Sequence, residues 1–197
     1  MELQSKPMGE YQTNCYIVTI NNKDLIIDPG MGATQWILDN TTNPVAILNT
    51  HGHFDHVWGN KELKAKLNIP IYCPKDDCFM LSDDPFSQGT PKSKADIEVE
   101  PNYIFDISGI KVNFHHFPGH TPGCSAIEID DYLFSGDFIF NGSIGRVDFP
   151  YSSPSDMKKS INKILLWKDD FKIHSGHGAP TTLFIEKDSL KSWLNYI

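Results

Sequence analysis

Three imidazoles and one carboxylate fall within the short stretch Asn49-Thr50-His51-Gly52-His53-Phe54-Asp55-His56. It follows the apolar run Val45-Ala46-Ile47-Leu48, so the four side chains sit where a buried strand gives way to a loop. Imidazole and carboxylate are ligands for zinc, iron or manganese, and a loop at a strand end can gather neighbouring side chains around one point. His51 and His53 alternate in an extended segment and so face the same way. Asp55 and His56 lie beyond a turn, where they can face a second ion. The spacing therefore points to two adjacent metals rather than one.

Three further motifs repeat the arrangement: Phe117-Pro118-Gly119-His120-Thr121-Pro122-Gly123, Leu133-Phe134-Ser135-Gly136-Asp137 and His174-Ser175-Gly176-His177-Gly178. Each sets a ligand-type side chain beside glycine after a strand, where the backbone can turn sharply. His115, His116 and His174 lie on strands rather than at their ends, and are read as structural. The pairs Asp83-Asp84 and Asp169-Asp170 are read as solvated surface.

The elements that must position these loops follow from periodicity. A hairpin is expected over residues 13–28, a short helix over 33–40 and the buried strand over 45–48. A helix over 58–67, a strand over 69–72 and a short helix over 75–81 come next. Residues 82–94 are polar, carry Pro85, Gly89 and Pro91, and read as a surface loop long enough to act as a flap. Strands are then expected over 103–107, 111–117, 125–129 and 132–134, an amphipathic helix over 157–167, and a strand over 171–173. A helix capped by Thr181 or Thr182 runs to Tyr196. Two β-rich halves wrapped by helices predict an α+β fold, a sandwich of two sheets covered on both outer faces.

The chain has 197 residues, enough for one well-buried domain, and a single domain over 1–197 is expected. The formal net charge is −8 and lysines are scattered, which disfavours a nucleic-acid partner. No basic-then-apolar leader and no apolar run of membrane length is visible, so a cytoplasmic protein without a membrane partner is expected. Cys15, Cys73, Cys78 and Cys124 show no CxxC pair and read as reduced thiols. The substrate expected is a small molecule; the sequence specifies no oligomeric state.

On these motifs the sequence resembles the metallo-β-lactamase superfamily, and within it the glyoxalase II-like hydrolases, from about Tyr11 to the C-terminus. The resemblance implies a four-layer αββα sandwich of two mixed sheets flanked by helices. It implies His51, His53 and His120 on a first metal, Asp55, His56 and His177 on a second, and Asp137 bridging the two. The oxygen-reducing diiron flavoproteins have Glu where His53 stands, and the true β-lactamases lack an aspartate equivalent to Asp137. A glyoxalase II-like hydrolase is therefore expected rather than either.

Two divalent ions about 3.5–4 Å apart lower the pKa of a shared water, so a bridging hydroxide serves as nucleophile without serine or cysteine. Zinc is the leading metal, with iron or manganese compatible. The implied substrate is a small thioester, whose thiolate leaves with little help from a general acid. Asp55 is expected to orient the attacking hydroxide as well as to bind metal. Arg146, in the Gly-Arg-x-Asp element Gly145-Arg146-Val147-Asp148, is expected either to meet a substrate carboxylate or to pair with Asp148 or a loop carbonyl and shape the loop. The chain ends at Ile197, without the helical C-terminal extension that supplies thiol binding in full-length glyoxalase II. The alternative is a persulfide dioxygenase, which uses one iron held by the equivalents of His51, His120 and Asp137. A nuclease of the same superfamily is the reading least supported by the charge.

Overall fold

The structure, a computed structural model, describes residues 1–197. The first sheet holds β1 (Glu2–Met8), β2 (Thr13–Ile20), β3 (Lys23–Ile27), β4 (Pro44–Leu48), β5 (Ile71–Pro74) and β6 (Ile97–Val99) in sequence order. β1 to β3 are antiparallel neighbours, and from β3 to β6 the strands run parallel. The second sheet begins with β7 (Ile104–Ile107), β8 (Ile110–His116), β9 (Ser125–Ile129) and β10 (Tyr132–Gly136), paired antiparallel in turn. A small hairpin, β11 (Ile139–Phe140) and β12 (Ser143–Ile144), stands apart from both sheets. β13 (Lys172–Ser175) then lies parallel to β10, and β14 (Thr181–Thr182) closes that edge.

Adjacent residues of the inner strands point to opposite faces, and both faces are buried, which explains why these strands read as unbroken apolar runs. Val18, Leu25, Ile27 and Leu48 point into a central layer and meet Phe114, Ile127 and Phe134 of the second sheet. Ile17, Ile26 and Ile47 point the other way, onto Ala33, Ile37, Val57 and Leu63. Ala126, Leu133 and Ile173 face outward from the second sheet onto Met157, Ile161, Ile164, Leu183 and Leu190. The outer residues belong to α1 (Ala33–Asn40), α2 (Phe54–Val57) and α3 (Asn60–Leu67) on one side. α4 (Cys78–Asp83) joins that first side through Leu81 and Cys78, and on the other the residues belong to α5 (Pro154–Leu165) and α6 (Leu183–Trp193). Three apolar layers between two sheets and two sets of helices make the expected αββα sandwich.

Local signals account for the helix starts. Ser153 accepts from the Asp156 amide ahead of Pro154 at the start of α5, and Thr182 accepts from the Ile185 amide at the start of α6. The expected helix over 58–67 starts later, at Asn60, and a separate turn of helix that the periodicity did not mark covers Phe54–Val57. β1 had no sequence signature: at the sheet edge both of its faces meet solvent, with Glu2, Gln4, Ser5, Lys6 and Pro7 all exposed, so no apolar period marks it. β6, β11, β12 and β14 are two or three residues long and were equally silent.

His115 Nε2 donates to Glu128 Oε2 at 2.6 Å, His116 Nε2 donates to the Pro122 carbonyl, and His174 packs among Tyr16, Tyr132 and Phe134. All three are structural, as their strand positions implied. The four cysteines are free thiols. No helix is long and apolar enough to cross a membrane.

Candidate metal centre

The four ligand-bearing loops leave the C-terminal ends of β4, β8, β10 and β13, one from the first sheet and three from the second. They meet at one end of the sandwich. Close approach of these loops depends on glycine at two points. Gly136 has φ +50°, and a Cβ there would lie 2.7 Å from Thr50 Cβ; a Cβ on Gly176 would lie 2.6 Å from His56 Cε1 and on top of Asp137 Oδ1.

Metal-ligand atoms of His51, His53 and His120 lie within 4.8 Å of one another, and those of Asp55, His56 and His177 do the same. Asp137 stands between the two groups. Its Oδ2 is 3.3 Å from His120 Nε2 and 3.5 Å from His177 Nε2, and its Oδ1 is 3.4 Å from His56 Nε2. Asp55 Oδ2 is 3.5 Å from His56 Nε2 and 3.4 Å from His177 Nε2. All seven expected side chains are thus brought together, in the two sets and with the central aspartate that the resemblance implies.

The surrounding hydrogen bonds fix which nitrogen each ring turns inward. Carbonyl oxygens only accept, so His120 Nδ1 donates to Arg146 O at 2.8 Å and His177 Nδ1 donates to Tyr11 O at 3.1 Å. His56 Nδ1 donates to Asp28 Oδ2 at 2.9 Å. The Thr50 hydroxyl donates to the same carboxylate at 2.6 Å, so it accepts from His51 Nδ1 at 3.0 Å. In each of these four rings Nδ1 is the donor to the surrounding protein, so Nε2 is the atom turned toward the centre. His53 differs, with its Nδ1 turned to His120 Nε2 at 2.9 Å. Nε2 of His51, His53 and His56 and Oδ1 of Asp137 are buried without any hydrogen-bond partner. Buried polar atoms are rarely left so, and convergent lone pairs of this kind fit divalent cations.

The electrostatics agree. Burial works against charge on His56, but Asp55, Asp137 and Asp28 overcome it and hold the imidazole protonated well above its usual range. His177 is likewise pushed up to about 9, against burial, by Asp137 and Asp55. Burial, then the neighbouring imidazoles, push His51 down, and burial with His120 brings His53 to about 3. Asp55 is held at about 2 despite burial, chiefly by His56 and by bonds to His177 and Thr13. The carboxylates thus hold protons on His56 and His177 of the second set, while His51 and His53 of the first set stay neutral.

Several residues outside the ligand motifs organise this centre. Asp28 accepts from the Thr50 amide and hydroxyl and from His56, and so orients one ring in each set. Asp28, His51 and His56 also bring ligand atoms within 4.8 Å of one another, but both Asp28 oxygens already accept hydrogen bonds, three in all, from Thr50 and His56, which suits Asp28 to supporting the ligands. Asp77, wholly buried, accepts from the Gly52 amide, the Thr121 hydroxyl and the Gly123 amide, tying the His51-His53 loop to the His120 loop. Thr13 donates to Asp55 at 2.6 Å, while Asn14 and Tyr16 donate to the Ser175 carbonyl. Sequence offered faint signals for these: Asp28 looks like a turn residue before Pro29-Gly30, and Asp77 like a polar position on a short helix.

A cavity of about 470 Å³ opens above the centre, lined by Tyr11, Phe54, Phe86, Phe140 and Phe149 together with Gln88 and Arg146. Phe86 and Gln88 come from the 82–94 loop, which Asp84 ties together by accepting from the Gln88 and Gly89 amides and the Thr90 hydroxyl. Arg146 makes a two-pronged ion pair with Asp148 at 2.8 and 2.9 Å and lies over the Phe149 ring at 4.2 Å.

Such a sandwich, with histidine and aspartate clustered at its strand ends, is the architecture of one family of metal-dependent hydrolases. The chain belongs to the metallo-beta-lactamase superfamily, whose family model matches residues 8–177. It is 34% identical to hydroxyacylglutathione hydrolase GloC of Haemophilus influenzae, over 96% of each chain. Among solved structures it is similar to the BLEG-1 B3 metallo-beta-lactamase, with TM-score 0.86 and 30% identity over 95% of this chain and 97% of that one. It is similar also to TTHA1623 in a di-iron-bound form, with TM-score 0.83 and 29% identity over 94% and 98%.

Proposed function

We propose that the protein is a binuclear metal-dependent hydrolase of small thioesters, of the glyoxalase II type. The observation that carries this reading is Asp137, whose Oδ2 lies beside His120 Nε2 of the first set and His177 Nε2 of the second, with Oδ1 beside His56 Nε2. His51, His53 and His120 would hold one ion, Asp55, His56 and His177 the other, with Asp137 shared. When bound, two divalent ions supply a nucleophile from water near neutral pH and polarise the acyl carbonyl. Zinc leads, and the likeness to a di-iron protein makes iron its nearest rival.

The chain's own residues have defined tasks. Asp28 holds the His56 ring directly and the His51 ring through Thr50. Asp55, gripped by Thr13, is placed to orient the attacking water and to accept its hydrogen bond. The aromatic walls exclude bulk water from the reacting carbonyl, and Arg146 at the rim meets the polar thiol half. The acyl carbon gains a bond to the water's oxygen and loses its bond to sulfur, and the departing thiol takes up a proton.

Persulfide oxidation at a single iron would leave Asp55, His56 and His177 without a task, though they are as carefully positioned as the first set. Metal content per chain, measured on protein purified without added metal, and hydrolysis of lactoylglutathione by the same sample test the assignment. About two metals with turnover support it. One iron, with oxygen uptake on a persulfide and no hydrolysis, would replace it with the dioxygenase reading. Turnover of a chromogenic cephalosporin in place of thioesters would favour the activity named for the B3 relative.

A further inference from the structure

The cavity walls are chemically unequal. On the His53 side, Phe86 lies 5.0 Å from the His53 ring, and Phe149 lies 6.1 Å from His53 and from His120. That side also carries the polar groups: Gln88 shares the Phe86 loop, and Arg146 is stacked on Phe149. The opposite side is different. Phe140 stands 6.0 Å from the His177 ring, and Tyr11 packs edge-on to Phe54 at 5.0 Å, beside the carbonyl that holds His177. No charged or amide side chain lines that wall apart from the candidate ligands.

We infer that the acyl half of the substrate is apolar, up to the size of a phenyl group, and is selected by Phe140, Tyr11 and Phe54. The thiol half, with its polar groups, leaves past Gln88 and Arg146. This rests on the hydrolase reading and narrows it. A small hydroxyacyl group such as lactoyl leaves the aromatic wall largely uncovered, whereas a ring or branched chain removes that apolar surface from water. A pocket of this kind discriminates by about tenfold or more between acyl groups that differ by a ring.

The test is an acyl series, acetyl, lactoyl and phenylacetyl, carried on two thiols, glutathione and N-acetylcysteamine. On either thiol, kcat/KM for phenylacetyl should exceed that for acetyl by about tenfold or more. In Phe140→Ala, and further in Phe140→Ala with Tyr11→Ala, that ratio should fall toward unity, while Phe140→Leu should retain most of it. A measurement free of any variant runs beside it: phenylacetate should inhibit the wild-type enzyme competitively at a concentration at least about tenfold below that needed for acetate. Equal efficiency across the acyl series overturns the inference and leaves the hydrolase standing. A preference that survives both variants also overturns it. Failure to turn over any member on either thiol removes the hydrolase reading, and this inference with it.

Discussion

Asp28 Oδ2 lies 2.9 Å from His56 Nδ1, and the same oxygen receives the Thr50 hydroxyl that orients His51. One carboxylate outside the two candidate ligand sets thereby fixes a ring in each half of the centre. The substitution Asp28→Asn exchanges an acceptor oxygen for an amide nitrogen and removes the charge that holds both protons on Nδ1. Metal affinity should fall by about ten- to a hundredfold, with the fold intact by circular dichroism. Chelator competition reads this directly, and an unchanged dissociation constant would show that Asp28 is a packing residue only.

Asp137 faces both candidate ligand sets, so its loss should affect stoichiometry more than any other single change. Asp137→Ala should lower bound metal from about two per chain toward one or none and remove measurable hydrolysis. Retention of two metals with full activity would be fatal to the bridging role.

The pH dependence of metal uptake follows from His177. In the metal-free protein its folded pKa is about 9, raised from the ordinary imidazole value of about 6.5. That raised value stabilises the metal-free fold fully below about 6.5, and the contribution fades as pH climbs through about 9. A cation needs the lone pair that the proton occupies, so metal affinity should rise with pH up to about 9, and binding near pH 7 should release protons. Calorimetric titration in two buffers of different ionisation enthalpy measures that release; identical heats in both would contradict it.

Asp77 joins the loops through three hydrogen bonds from buried donors. Asp77→Ala leaves the Gly52 and Gly123 amides unpaired and should cost about 3 kcal/mol of stability, as well as lowering metal occupancy. Urea denaturation of the metal-free variant separates the two effects. A change within about 0.5 kcal/mol would mean that water replaces the carboxylate without loss.

Arg146→Ala should raise KM for a thioester of a carboxylate-bearing thiol several-fold more than for a neutral one, with kcat little changed. Arg146 is already paired with Asp148, so the comparison with Asp148→Ala is informative: freeing the guanidinium should lower KM for the same anionic substrate. Equal effects on both substrates would remove Arg146 from recognition.

The ligand set was legible because each member sits in a short motif whose meaning is local: a strand, a turn, glycine, then histidine or aspartate. The sandwich was legible for a related reason, since buried strands such as 45–48 leave unbroken apolar runs. Asp28 and Asp77 were not legible as supports, because their partners are more than twenty residues away and their own surroundings look like an ordinary turn and helix. The aromatic walls were hidden likewise: Tyr11, Phe54, Phe86, Phe140 and Phe149 come from five separate segments, and only the folded chain makes them neighbours. β1 escaped because an edge strand facing water has no apolar period to show.

The grip of Asn14 and Tyr16 on the Ser175 carbonyl spans more than 150 residues of chain. Thr13, in the same strand, holds Asp55, so the loop that carries His177 can be locked against its partners only after β13 has been inserted beside β10. Contacts so distant in sequence form late and slowly. A chain emerging from the ribosome therefore has His51 to His56 available long before it can bind two ions, and metal acquisition becomes a mark of the finished molecule rather than a guide to its folding.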